Sequence, residues 1–91
     1  SIPLGTAIFM IFYVYMLKGV NNKITKTYVG YTNNLALRLK KHNSGRGAKA
    51  TRGYKWKIIY KKKFYDKRLA MSFEYKLKKD QKRRKYLLSL N

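Results

Sequence analysis

The stretch "MIFYVYMLKGVNNKITKTYVGY", residues 10–31, decides the fold. Residues 10–17 are β-branched, aromatic or long aliphatic throughout, with no polar alternation. A short run of that kind predicts a strand beginning near Met10 and covered on both faces. "KGVNNK" follows, joining Gly19 to paired asparagines, which is turn chemistry between strands. Residues 24–31, "ITKTYVGY", supply the partner, so the whole stretch predicts a β-hairpin. Gly30 inside that second strand predicts a bulge or a close backbone approach.

Downstream, "TNNLALRLKKHNSG" opens on capping residues and closes on Asn-Ser-Gly, the start and stop signals of a helix. Leu35, Ala36 and Leu39 form its expected buried stripe. Arg38 and His42, four apart, share a face beside it. Residues 44–53 make a glycine-rich basic loop, and "YKWKIIYKKKF" reads as a third strand. Asp66 is placed to cap a helix running to about residue 79, with Leu69, Ala70, Phe73 and Leu77 on its apolar face. Asp80 is placed to cap a last helix ending in "YLLSL". The order strand, strand, helix, strand, helix, helix predicts an α/β (α+β) sandwich with helices packed on a three-stranded sheet.

At 91 residues the chain makes one domain, taken as residues 10–91. Residues 1–9 read as a leader or a cloning remnant, with Met10 as a natural start. The apolar run "SIPLGTAIFMIFYVYML" is shorter than the ~20 residues of a membrane span. No Lys or Arg precedes it, so it lacks the basic start of a signal peptide. No membrane partner is expected, and the location expected is cytoplasmic, with the nucleoid. There is no cysteine, which excludes disulfides, thiol nucleophiles and thiolate metal sites. One histidine with three acids cannot build a zinc site.

Charge narrows the function. With 23 Lys+Arg against 3 Asp+Glu, the net charge is +20. So much charge on so small a domain attracts a polyanion through counterion release, and nucleic acid is the first candidate. Against that background Glu74, the one glutamate, stands out. On its helix it falls about 85° from the centre of the apolar stripe, on the border between core and solvent. It is either a surface acid paired with Lys78 at i,i+4 or a ligand holding a divalent metal against phosphate. Arg38 is one more phosphate contact or a group that stabilises transition-state charge. His42 is a histidine near a helix C-terminus or a group that moves protons. Nine tyrosines are many for this length. Tyr13, Tyr15, Tyr28 and Tyr31 crowd the hairpin, Tyr13 and Tyr15 on one face. They pack, or they orient water and phosphate, and a Tyr base would need cationic neighbours to lower its pKa.

"YVYML", "TYVGYT", "LALRLKKHNSG" and "FEYKL", in that order, resemble the GIY-YIG nuclease domain, above all the small stand-alone bacterial members. Tyr13-Val14-Tyr15 stands where the family has GIY, and Tyr28-Val29-Gly30 where it has YIG. Arg38 matches the family's arginine on the first helix, His42 the position one turn later, and Glu74 the metal-binding glutamate. Tyr31 stands where some members carry a lysine. The resemblance runs from about residue 10 to 80. It implies a three-stranded antiparallel sheet flanked by helices and an endonuclease hydrolysing DNA phosphodiesters. Its catalytic residues would be Tyr15, Tyr28, Arg38, His42 and Glu74. Glu74 would hold one Mg²⁺ or Mn²⁺. The base would be Tyr15 or His42. Tyr31, Lys41, Arg46, Lys49, Arg52, Lys55 and Lys78 would contact nucleic acid, DNA or alternatively RNA, and a partner protein would supply specificity. Two other readings stay open: a non-catalytic binding module of the same fold, and a small basic ribosomal or nucleoid protein.

Overall fold

A computed structural model describes residues 10–91. The expectation for residues 1–9 lies outside the described residues. Strand β1 (Phe12–Asn21) and strand β2 (Ile24–Thr32) form the hairpin, paired antiparallel from Tyr13 opposite Thr32 to Asn21 opposite Ile24. The turn is only Asn22-Lys23. Asn22 sits at φ +56, a left-handed conformation that asparagine tolerates better than most residues. The first strand therefore runs further than its apolar segment, through Lys18 and Gly19 to Asn21. Gly19 is not a turn residue but a contact surface. A Cβ there would lie 2.6 Å from the Trp56 ring.

The remaining elements are helix α1 (Leu35–Asn43), a short 3-10 turn (Lys49–Thr51), strand β3 (Lys55–Phe64), helix α2 (Lys67–Lys79) and helix α3 (Gln81–Ser89). The element order and the α+β class are as the sequence predicts. Strand β3 pairs antiparallel with the other edge of β1, giving the sheet order β2-β1-β3. The register slips between Met16, opposite Tyr60, and Leu17, opposite Ile58. Ile59 is the extra residue of a β-bulge, which bends β3 at mid-strand.

Strand β1 is central and covered on both sides, with Val14, Tyr15, Met16 and Leu17 all buried. Strand alternation splits them. Phe12, Val14 and Met16 pack with Val29 against Ala70 and Leu77 of α2 and Leu87 of α3. Tyr15 and Leu17 pack with Trp56 against Leu35 and Leu39 of α1.

Helix ends follow the sequence closely. Asn34 accepts from the Leu37 N–H at 3.1 Å, Asp66 from Arg68 and Leu69, and Asp80 from Arg83 at 3.0 Å. Such caps satisfy N–H groups that have no partner within the helix, at about 1 kcal/mol each. Two of the three acids are thereby committed to capping, and Glu74 is the one left over. Two stripe residues are corrected. Ala36 is exposed, and Leu69 is 60% exposed. The stripe of α1 is instead Leu35, Arg38, Leu39 and His42, at i, i+3, i+4 and i+7. Without Leu69, the stripe of α2 turns about 20° toward Glu74. No helix of the described residues is long and apolar enough to cross a membrane.

Candidate active site

Arg38 and His42 sit one turn apart on α1, facing the Tyr15 side of the sheet. The Tyr15 hydroxyl lies 2.9 Å from His42 Nε2. His42 Nδ1 lies 2.9 Å from Thr51 Oγ1, and the Thr51 hydroxyl donates to the Ala48 carbonyl at 2.7 Å. The Arg38 guanidinium lies close enough to Tyr15 to act on its hydroxyl. A continuous polar line thus runs from Tyr15 through His42 and Thr51 to the Ala48 carbonyl, with half-buried Arg38 beside its Tyr15 end. His42 is 1% exposed and Thr51 fully buried.

The loop after α1 closes this line. It passes Gly45 at φ +80 and leaves through Gly53 at φ +85, conformations suited to glycine. Trp56 anchors it. The indole N–H donates to the Thr51 carbonyl at 2.7 Å, while Asn43 bonds both the N–H and the C=O of Trp56. Tyr28 borders the site from β2, its ring centroid 5.0 Å from that of His42 and 6.4 Å from that of Tyr15. Gly30 is the close approach expected of it. A Cβ there would lie 2.5 Å from the Tyr15 oxygen and 3.1 Å from the Tyr28 ring.

Burial pushes the Tyr15 hydroxyl above its ordinary pKa of 10. The Arg38 hydrogen bond works against that rise, the nearby Tyr28 adds to it, and the charge of Arg38 opposes it. Glu74 adds the last upward push, so the carboxylate of α2 acts on the same hydroxyl. Arg38 is held protonated more firmly than usual by its hydrogen bond to Tyr15. His42 is lowered to about 4, first by burial and then by the charge of Arg38. At neutral pH the line therefore holds a neutral tyrosine and a neutral imidazole beside a guanidinium.

Tyr15, Tyr28 and His42 thus meet around one hydroxyl, that of Tyr15, and the charges of Arg38 and Glu74 act on it. Glu74 is mostly buried, at 17% side-chain exposure, and its Oε1 lies 3.5 Å from Lys78 Nζ. The surface-pair geometry foreseen for Glu74 and Lys78 is present. Among the described residues no three of His, Cys, Asp and Glu cluster to enclose a metal. Mg²⁺-type ions nonetheless bind through one or two carboxylates completed by water and substrate phosphate. A lone carboxylate in a cationic surface fits that mode.

An open depression of about 390 Å³ borders the site, lined by Tyr31, Thr32, Asn33, Asn34, Arg38, Lys41 and Lys67 among others. It joins two expected nucleic-acid contacts, Tyr31 and Lys41, to Arg38. It adds Lys67, which the sequence did not single out. Arg46, Lys49, Arg52 and Lys55 are exposed on the loop and at the start of β3. The sequence also missed Thr51, since a threonine in a glycine-rich loop follows no periodic pattern.

Comparison with known proteins gives the family and the fold. The family model described as the GIY-YIG catalytic domain matches residues 11–87. A UPF0213 protein of Oceanobacillus iheyensis is 46% identical over 67 residues, 72% of this chain and 74% of that protein. One of Clostridium perfringens is 48% identical over 68 residues, 74% of this chain and 70% of that one. The solution NMR structure of a UPF0213 protein from Bacillus halodurans is similar at a TM-score of 0.50 and 38% identity, over 90% of this chain and 86% of the other. The chain belongs to the GIY-YIG catalytic-domain family.

Proposed function

We propose that this protein is a metal-dependent endonuclease that hydrolyses DNA phosphodiester bonds, selecting branched, flapped or nicked DNA by shape. The observation that carries the reading is the buried polar line Tyr15–His42–Thr51, with Tyr28 beside it and the charges of Arg38 and Glu74 acting on the Tyr15 hydroxyl. The family supplies the reaction class. Cationic loop and strand residues grip the backbone without reading bases, which suits recognition by shape. A partner protein would add further specificity. A site of action at the nucleoid follows from the same chemistry.

In this reading Arg38 turns from Tyr15 to a phosphate oxygen and stabilises the charge that grows on the pentavalent phosphorus. The turn uncovers the Tyr15 hydroxyl. It also removes the cation that weakens His42 as a base. The attacking water then loses a proton to Tyr15, which passes its own proton to His42 Nε2. Tyr15 is thus the base in contact with water, and His42 stands behind it. Tyr28, half-exposed beside both, positions water or phosphate. Glu74 would hold one Mg²⁺ or Mn²⁺, which when bound supplies Lewis-acid polarisation of the phosphate.

The test is nicking of plasmid, flap and four-way-junction DNA with Mg²⁺ or Mn²⁺, with matched RNA substrates in parallel. Wild type is expected to cut DNA. Glu74→Ala and Arg38→Ala are expected to lose at least about 100-fold in rate. Glu74→Ala should bind DNA as well as wild type or slightly better. Binding without cutting of any substrate would make the protein a binding module instead, and cutting of RNA alone would change the substrate class.

A further inference from the structure

We infer that Thr51 is a positioning residue for this site, fixing His42 as the Nδ1–H tautomer so that Nε2 is kept as the acceptor for the Tyr15 proton. The inference deepens the hydrolase reading and rests on it. The protons along one line can be counted. A threonine hydroxyl has a single proton to donate. The Ala48 carbonyl, 2.7 Å from Oγ1, can only accept, so that proton points at Ala48. Oγ1 then presents a lone pair to His42 Nδ1 at 2.9 Å, and two lone pairs do not hold each other at that distance. Nδ1 therefore carries the hydrogen. In a neutral imidazole the other nitrogen is then bare, so Nε2 accepts from the Tyr15 hydroxyl at 2.9 Å. Every hydrogen bond runs in one direction, from the Tyr15 hydroxyl to the Ala48 carbonyl.

The opposite tautomer breaks this order twice. Thr51 would have to leave Ala48 to donate to Nδ1. The Tyr15 oxygen would have to accept from Nε2–H, and its own proton would lose the acceptor it has now. Both defects fall at buried atoms, where an unmade hydrogen bond is costly. Thr51 is itself held, since its carbonyl accepts from the Trp56 indole at 2.7 Å. Gly47 lets the loop come this close, because a Cβ there would lie 2.5 Å from His42 Nδ1. The ionisable groups facing His42 are Tyr15 from β1, Tyr28 from β2 and Arg38 from its own helix. The loop contributes only the neutral Thr51.

In the reaction the water oxygen bonds to phosphorus as the bond from phosphorus to the leaving oxygen breaks, and the leaving oxygen takes a proton from solvent. A water O–H bond breaks and its proton joins the Tyr15 oxygen. The Tyr15 O–H bond breaks and its proton joins His42 Nε2. His42 becomes an imidazolium whose Nδ1–H still points at Thr51, and it returns the extra proton to solvent after product leaves. Thr51 does not move in this sequence, which is why it positions rather than catalyses.

Long-range ¹H–¹⁵N spectra of ¹⁵N-histidine-labelled protein read the tautomer directly, since His42 is the only histidine. Wild type at pH 7 is expected to show Nδ1 protonated and Nε2 bare. Thr51→Val, which keeps the shape and removes the hydroxyl, is expected to shift the ring toward Nε2–H. It should lower kcat for nicking about 10- to 100-fold with KM unchanged. Thr51→Ser should restore both. An Nε2–H signal in wild type overturns the inference, as does a Thr51→Val protein with an unchanged spectrum and full kcat. If Thr51→Val fails to fold, the wild-type and Thr51→Ser spectra still decide. If no substrate is cut, the nuclease reading falls. The tautomer is still read from the spectrum, and Nδ1–H upholds the role of Thr51 while Nε2–H refutes it.

Discussion

The two faces of the sheet are built from the same strand and do opposite things. On the face covered by α2 and α3, β1 presents Phe12, Val14 and Met16 to Val29, Ala70, Leu77 and Leu87, an apolar cluster. On the α1 face it presents Tyr15, and the layer above holds Arg38, His42 and Thr51 as well as Leu35 and Leu39. Burial is equally complete on both, with Met16 at 0% and Tyr15 at 1% exposure. Dispersion and water exclusion stabilise the first face. The second is buried at a cost, offset by hydrogen bonds that leave no buried side-chain N or O without a partner among the described residues. A small domain can place proton chemistry one residue away from its main core, because a strand sends neighbours to opposite sides.

Neighbouring substitutions should separate the faces, and this is the largest effect expected. Tyr15→Phe removes one oxygen from the polar line. Nicking should fall about 100- to 10,000-fold, the range of a lost proton-transfer group. Stability should change by only about 1 kcal/mol. Met16→Ala should do the reverse, losing about 2–5 kcal/mol of stability as a cavity opens under α2. Its folded fraction should cut at close to the wild-type rate. Urea melts alongside nicking assays measure both. A Met16→Ala protein that is folded but inactive would show that the faces are coupled.

The sequence displayed these faces unequally. The apolar one was legible, since Ala70, Phe73 and Leu77 repeat at helical spacing and Asp66 and Asp80 mark helix starts. Leu69 misled because hydrophobicity alone does not say which edge of a stripe the sheet covers. On α1 the true stripe contains an arginine and a histidine, and a reading that seeks apolar residues counts Ala36 in their place. The motif order located Tyr15, Tyr28, Arg38, His42 and Glu74, but not the burial of His42. That burial comes from the loop folding back from Gly45 to Gly53, a tertiary fact with no local periodicity. Thr51 and Gly47 were invisible for the same reason.

The next effect in size is on acid stability, and it belongs to the α1 face. His42 has a folded pKa of about 4 against about 6.5 for an unfolded histidine. Between those values the unfolded chain binds the extra proton and the folded one does not. Stability from this group is therefore full above pH 6.5 and is lost as pH falls toward 4. The shift corresponds to roughly 3 kcal/mol at most. His42→Gln should remove this contribution, so that its urea midpoint changes less than that of wild type between pH 7 and pH 4.5. An unchanged pH dependence would mean that the imidazole is not held neutral.

The smallest effect lies on the outside of the loop that seals the α1 face. Thr51 points inward within the short turn Lys49–Thr51, while Lys49 and Arg52 beside it are exposed. If the interior holds the chemistry and the exterior only the backbone grip, Lys49→Gln and Arg52→Gln should weaken DNA binding by less than about 10-fold each at moderate salt. Each should also reduce the slope of log K against log salt by about 0.9, the value for one released counterion. Neither should alter the rate of cutting once DNA is saturating, nor the His42 spectrum. Salt-dependent fluorescence anisotropy with single-turnover nicking reads both quantities. A drop in the saturating rate would mean that these side chains act on the reacting phosphate, and the division between an inner face for chemistry and an outer rim for affinity would fail at the residues flanking Thr51.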